Sequence, residues 1–149
     1  MPRTKRVAPS GMVFHALNRG VGRMKIFSTE RDYLAFEEII EETLGLYPMR
    51  ILGYCLMPNH WHFVLWPQNN GDLSAFLQRL SNTHTQRWQR AKNKVGYGHL
   101  YQGRFKSFPL ETDDHFYALV RYVERNALRA NLVEAAESWR WGSLWRRVQ

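Results

Sequence analysis

The chain has 149 residues, 44% hydrophobic and 14% aromatic, with 21 Lys and Arg against 13 Asp and Glu, a net charge of +8. That length and apolar content suit one folded domain and exclude a disordered chain, so the excess charge sits on a folded surface and calls for an anionic partner, nucleic acid first. A single cysteine, Cys55, excludes an internal disulfide and a cysteine-built zinc site, and no apolar run reaches the roughly 18 residues that a spanning helix needs.

The start, Met1 to Ser10, is basic and lacks the apolar stretch of a secretory signal, so it reads as a basic arm on a cytoplasmic, nucleoid-associated protein with no membrane partner. Gly11 to Gly20 is a glycine-bounded apolar run and predicts a first strand. Ser28 or Thr29 then caps a helix whose Tyr33, Phe36, Ile40 and Leu44 recur every three or four residues, ended by Gly45 and Pro48. Arg50 to Leu56 and His60 to Trp66 are strands joined at the turn Pro58-Asn59. A second helix opens at Gly71-Asp72, with Leu73, Phe76, Leu77 and Leu80 inward and a basic, solvated remainder.

After Gly96-Tyr97-Gly98, the segment Arg104 to Leu110 predicts a fourth strand, at a sheet edge because of Pro109. Thr112 and Asp113 cap a third helix with a stripe of Phe116, Leu119, Val120, Val123 and Ala127, and an irregular Trp- and Arg-rich tail, 134–149, follows. This order is that of the α+β ferredoxin-like split βαβ unit: one domain, a four-stranded antiparallel sheet with packed helices, plus an added C-terminal helix and tail. Its first and third strands are central. Cys55 reads as a buried, reduced core thiol.

The third strand carries His60-Trp61-His62, and the strand period of two sends both imidazoles to one side. Two neutral imidazoles on a rigid strand can hold a divalent metal, although a strand histidine can also serve packing alone. On the third helix, Tyr122 and Asn126 lie roughly 40° apart on one flank, with Tyr117 on the other. Helix periodicity by itself leaves Tyr122 as either a boundary aromatic or a nucleophile.

Together these residues resemble the tyrosine transposases of the histidine-hydrophobic-histidine class, especially the REP-associated branch. The resemblance spans almost the whole chain in four blocks: Phe14 to Gly20, Met57 to His62, Gly98 to Ser107 and Arg121 to Asn126. It implies metal-dependent cleavage and transfer of single-stranded DNA, in which Tyr122 attacks a phosphodiester to leave a 5′-phosphotyrosine link and a free 3′-hydroxyl. By position, His60 and His62 would be metal ligands and Asn126 would complete or support the site. Magnesium or manganese suits such a donor set, with zinc also tolerated. A phenol with a pKa near 10 needs about 4 kcal/mol to ionise at pH 7, and no residue presents itself as the base. Where the family continues Pro-Val-Arg-Ala-Gly-Leu-Val, this chain has Ala127 to Val133 without the proline and glycine; Asn131 can take the left-handed turn, while losing proline lets the helix run on.

The candidates for DNA contact are Arg3, Lys5, Arg6, Arg19, Arg23, Lys25, Arg104 and Lys106, with Tyr101, Trp61 and Trp141 as stacking candidates, core packing being the alternative for each tryptophan. The partner expected from the resemblance is single-stranded or REP-like hairpin DNA, bound by a monomer or a homodimer. The block His99 to Ser107 admits either an architectural role or DNA contact. Two other readings fit the same residues: a non-catalytic single-strand binder, and a metallohydrolase that uses activated water and leaves Tyr122 incidental.

Overall fold

The computed structural model describes residues 12–96, 98–110 and 113–149; the basic arm with Arg3, Lys5 and Arg6, and the cap at Thr112, lie outside them. Strand β1, Phe14–Arg19, alternates buried and half-buried positions, as a strand covered unequally on its two faces does. Helix α1, Glu30–Leu46, is started by Thr29 rather than Ser28: its hydroxyl accepts from the Asp32 amide while the Asp32 carboxylate accepts from the Thr29 amide, a reciprocal capping box. Strands β2, Met49–Met57, and β3, His60–Pro67, form the expected hairpin. Helix α2, Asp72–Ala91, buries Leu73, Phe76, Leu77, Leu80 and His84.

Strand β4, Lys106–Pro109, is shorter than the sequence predicts. Arg104 falls in the turn before it, and the Phe105 side chain is drawn into the core. The sheet order is β2-β3-β1-β4 with every neighbouring pair antiparallel, so β1 and β3 are central, as the split βαβ pattern requires.

One sheet face, bearing Phe14, Ala16, Trp61, Phe63 and Leu65, packs against α1 and α2 to make the larger core. The other face, bearing Cys55, Met57 and Val64, meets Val123 and Ala127 from the third helical region. Burial pushes the Cys55 thiol up to about 12, which keeps it protonated and inert.

The third helix departs from expectation. It does not continue through Ala127 but divides into α3, Asp113–Glu124, and α4, Asn126–Arg129, across Arg125 at φ −96° and ψ 7°. A proline is therefore not needed to end α3. The Tyr122 carbonyl accepts instead from Arg129 Nη1 at 2.7 Å. Asn131 at φ 59° supplies the left-handed turn expected of it, with its amide donating to Leu128 and the Leu132 amide to Ala127.

The tail is more ordered than its composition predicts. Residues Trp139 to Ser143 run along the outer edge of β2: the Leu56 amide donates to Trp141 at 2.8 Å, Trp139 Nε1 to the Leu56 carbonyl at 2.9 Å, and the Tyr54 amide to Ser143 Oγ at 2.9 Å. Covering an edge in this way removes a template for unwanted strand pairing. The short helix α5, Ser143–Arg147, then closes over Glu124, whose buried carboxylate is held by Ser143 and Arg147.

Under α2, Trp61 Nε1 donates to Tyr101 Oη at 2.8 Å, and the Tyr101 hydroxyl bonds His84 Nδ1, which satisfies three polar groups inside the core. His84 is only 4% exposed, and burial pulls its pKa down to about 3. An unfolded imidazole titrates near 6.5, so the neutral ring's contribution is fully present above that pH and is lost as pH falls from 6.5 toward 3. Urea unfolding in this window is expected to show stability dropping by about 1.4 kcal/mol per pH unit for this one proton. The His84→Gln protein, less stable at pH 7.5, is expected to lose that part of the slope.

Candidate active site on the sheet face opposite helices α1 and α2

The hairpin turn places His60 and His62 at the start of β3, both on the face away from α1 and α2. Their rings stand nearly perpendicular, at 88°, with centroids 5.0 Å apart. Each ring is oriented by a neighbour. His60 Nδ1 bonds Asn59 Oδ1 at 2.7 Å, and His62 Nδ1 bonds His15 Nε2 at 2.9 Å. These bonds engage the δ nitrogens; where His62 Nδ1 is the donor to His15, each neutral ring keeps its lone pair on Nε2. Burial lowers the His60 pKa, assisted by the Arg19 charge; burial, then His60, His15 and Arg129, takes His62 down to about 3. Both rings are neutral at pH 7, the form that can donate a lone pair.

Helix α3 lies over β2 and β3 and brings Tyr122 above the pair. The Tyr122 ring stands edge-on to His62 with centroids 6.4 Å apart, and it is 51% exposed, open to an incoming strand. The break at Arg125 lets Asn126 turn inward, its Nδ2 lying 3.5 Å from His60 Nε2. A half-turn of that amide would present its oxygen instead. His60, His62, Tyr122 and Asn126 are thus brought together.

Among the described residues no set of three or more His, Cys, Asp or Glu forms a metal cage. A cation here would be held by the two imidazoles and the Asn126 amide, and their neutral state and half-buried setting fit that use.

Two residues of the site escaped sequence reasoning. His15 shares the His62 face because β1 alternates; its place beside the pair follows only from the register Leu17↔His62. Arg129 lies two helical turns after Tyr122, and its guanidinium sits 3.8 Å from the Tyr122 ring centroid while also bonding the Tyr122 carbonyl. An i, i+7 search from the tyrosine would have found it.

Of the other candidates, Arg19, Arg23, Lys25, Arg104 and Lys106 are exposed, and Arg19 Nε also donates to Gln102 Oε1 at 3.0 Å. Tyr101 is a correction, whereas the two tryptophans take the core-packing role expected for them. Tyr101 is buried with its hydroxyl engaged, Trp61 is wholly enclosed, and Trp141 is stacked on Tyr33 with centroids 4.6 Å apart, so none presents a face to a base. Each is drawn inward because the adjoining core needs its ring. Leu100, Tyr101 and Phe105 are all buried, which gives the apolar members of the His99 to Ser107 block an architectural role.

The sequence profile of IS200-like transposases matches residues 9–126, which include all four motif blocks and the entire histidine–tyrosine arrangement. The chain belongs to the IS200-like transposase family. A protein of Haemophilus influenzae described as a REP-associated tyrosine transposase is 23% identical over 127 residues, covering 79% of this chain and 72% of that protein. A solved REP-associated tyrosine transposase, bound to a REP hairpin, superposes with a TM-score of 0.77 at 19% identity over 99% of this chain and 86% of its own. A Deinococcus radiodurans protein assigned as a transposase gives 0.56 at 13% identity, over 83% of this chain and 96% of its own. The resemblance to REP-associated transposases is borne out in sequence and in fold. Transposases as a class cut and join DNA, generally with a metal. No helix among the described residues is long and apolar enough to cross a membrane.

Proposed function

We propose that this transposase cleaves and rejoins single-stranded DNA through a phosphotyrosine formed at Tyr122, with a divalent cation, magnesium or manganese, held by His60, His62 and Asn126. The observation that carries it is the edge-on stance of an exposed Tyr122 over His62. Tyr122 Oη attacks phosphorus; the O–P bond forms, the bond to the 3′-oxygen breaks, the phenol loses its proton and the departing 3′-oxygen gains one. The 5′-phosphate stays on the protein. Rejoining runs the same step backwards from a 3′-hydroxyl.

The bound cation would supply charge neutralisation on the phosphate, worth several kcal/mol. The chain's own residues do the rest. Asn59 and His15 fix the two histidine rings, and Arg129 pins the phenol and adds positive charge where a phosphate approaches. Glu124, two residues after the tyrosine, is turned away and consumed by Ser143 and Arg147, so it is not the base. The REP hairpin bound by the solved relative supports a hairpin with a single-stranded flank as substrate.

The test is incubation with end-labelled hairpin DNA carrying single-stranded flanks, with manganese, resolved under denaturing conditions. A covalent protein–DNA band that chelator prevents is the expected result. Binding undiminished by chelator with no such band at any metal concentration would establish a non-catalytic binder instead.

A further inference from the structure

Helix α3 packs chiefly on β2 and β3, and among the described residues the β1–β4 half of the active face presents half-buried His15 and Leu17 and exposed Lys106 and Phe108. The register states what lies there. His15 pairs with Phe108 and Leu17 with Lys106 on one side of β1, while Leu17 pairs with His62 and Arg19 with His60 on the other. Directly paired residues project from the same face, so Phe108 and Lys106 extend the row that begins at the histidine pair. Phe108 is 51% exposed, and its ring centroid lies 6.3 Å from that of His15, which itself bonds His62. Lys106, two residues before Phe108 on the same face, is exposed, as is Arg19 opposite His60 at the other end of the row.

An exposed phenylalanine on an edge strand carries a liability, since it offers an apolar patch and a free ladder to other chains. It does not serve the core: the packing beneath α3 closes on Leu110, Phe116, Leu119 and Val120. From His62 on β3 to Phe108 on β4 is two strand spacings across and two residues along, roughly 12 Å. A phosphate at the histidine pair therefore places a neighbouring base over β4.

We propose that Phe108 is a stacking platform for an unpaired nucleobase next to the scissile phosphate, with Lys106 and Arg19 holding the flanking backbone. The proposal rests on the single-strand chemistry assigned above. The ligand is a base without a Watson–Crick partner, because only an unpaired base offers a free π-face, and stacking tolerates any base. Sequence preference must then come from elsewhere on the protein. The edge strand is short and ends at Pro109, and among the described residues no further strand follows it in the sheet.

The test is a binding measurement in the Tyr122→Phe background, which separates affinity from cleavage, using fluorescent hairpin oligonucleotides whose flanking nucleotides are made abasic one at a time. Replacing Phe108 by Ala is expected to weaken binding about 5- to 150-fold, the range for one lost stacking contact of about 1 to 3 kcal/mol, while Phe108→Trp holds or improves it. At one flank position the abasic substitution should cost the Phe108 protein the same factor and cost the Phe108→Ala protein nothing more. Phe108→Leu, which keeps an apolar edge without a π-face, is expected to behave as Phe108→Ala and guards against a folding artefact. Affinities within twofold for Phe108→Ala, or abasic effects that add independently at every position, would overturn the platform. Adduct formation by the wild-type protein without this coupling sinks the platform alone; coupling without any adduct sinks the phosphotyrosine chemistry and leaves the platform standing.

Discussion

The Tyr122→Phe protein is expected to form no covalent DNA adduct and to cleave at least about 10⁴-fold more slowly than the wild type, the scale on which removal of a nucleophile acts. Nothing else changes by comparable amounts. The ring is 51% exposed and keeps its contacts with Arg129 and His62, so folding stability should shift by no more than about 0.5 kcal/mol. Affinity for hairpin DNA should stay within about tenfold, since one hydroxyl is worth about 0.5 to 1.5 kcal/mol of net hydrogen bonding. A quenched-flow cleavage assay with a denaturing gel reads the adduct and the cleavage rate. Unimpaired cleavage with no trapped intermediate would replace the tyrosine by an activated water and make the site a hydrolase.

The second large effect belongs to His62→Ala. Its imidazole is buried, is neutral, and is aimed by His15 at the place where Tyr122 and His60 converge. Removing it should abolish tight manganese binding and lower cleavage by about 10³-fold or more, the worth of several kcal/mol of charge stabilisation. His15→Ala removes only the bond that orients His62, and a loss of about 10- to 100-fold is expected there, recoverable in part by raising the metal concentration. That ranking, ligand far above orienting neighbour, separates a metal site from a stack of packing histidines. Isothermal titration with manganese beside single-turnover cleavage measures both. Equal small losses for the two variants would assign the histidines to packing.

The sheet and its helices were legible because their signals are local. A glycine-bounded apolar run marked β1, the Pro58-Asn59 turn set the β2–β3 hairpin, and stripes of three and four residues marked α1 and α2. The face on which His60 and His62 meet followed from the period of two alone. What escaped was set by tertiary contacts. The division of α3 from α4 follows the Arg129–Tyr122 carbonyl bond, which no propensity encodes. The tail looked irregular because its residues satisfy the edge of β2 rather than one another. Tyr101 looked like a base platform by type, yet its hydroxyl is one end of the Trp61–His84 chain inside the core. Phe108 is silent in the sequence because a single phenylalanine in a short strand has no periodic signature; only its pairing with His15 shows what it stands beside.

The proposed chemistry requires two imidazole nitrogens from β3 to share one cation beneath Tyr122. Pulsed electron paramagnetic resonance of manganese bound to the protein reads those nitrogens directly. Couplings to two histidine nitrogens, reduced to one in either His60→Ala or His62→Ala, are expected. A bound manganese with no nitrogen coupling, or one whose couplings survive both substitutions, would contradict it.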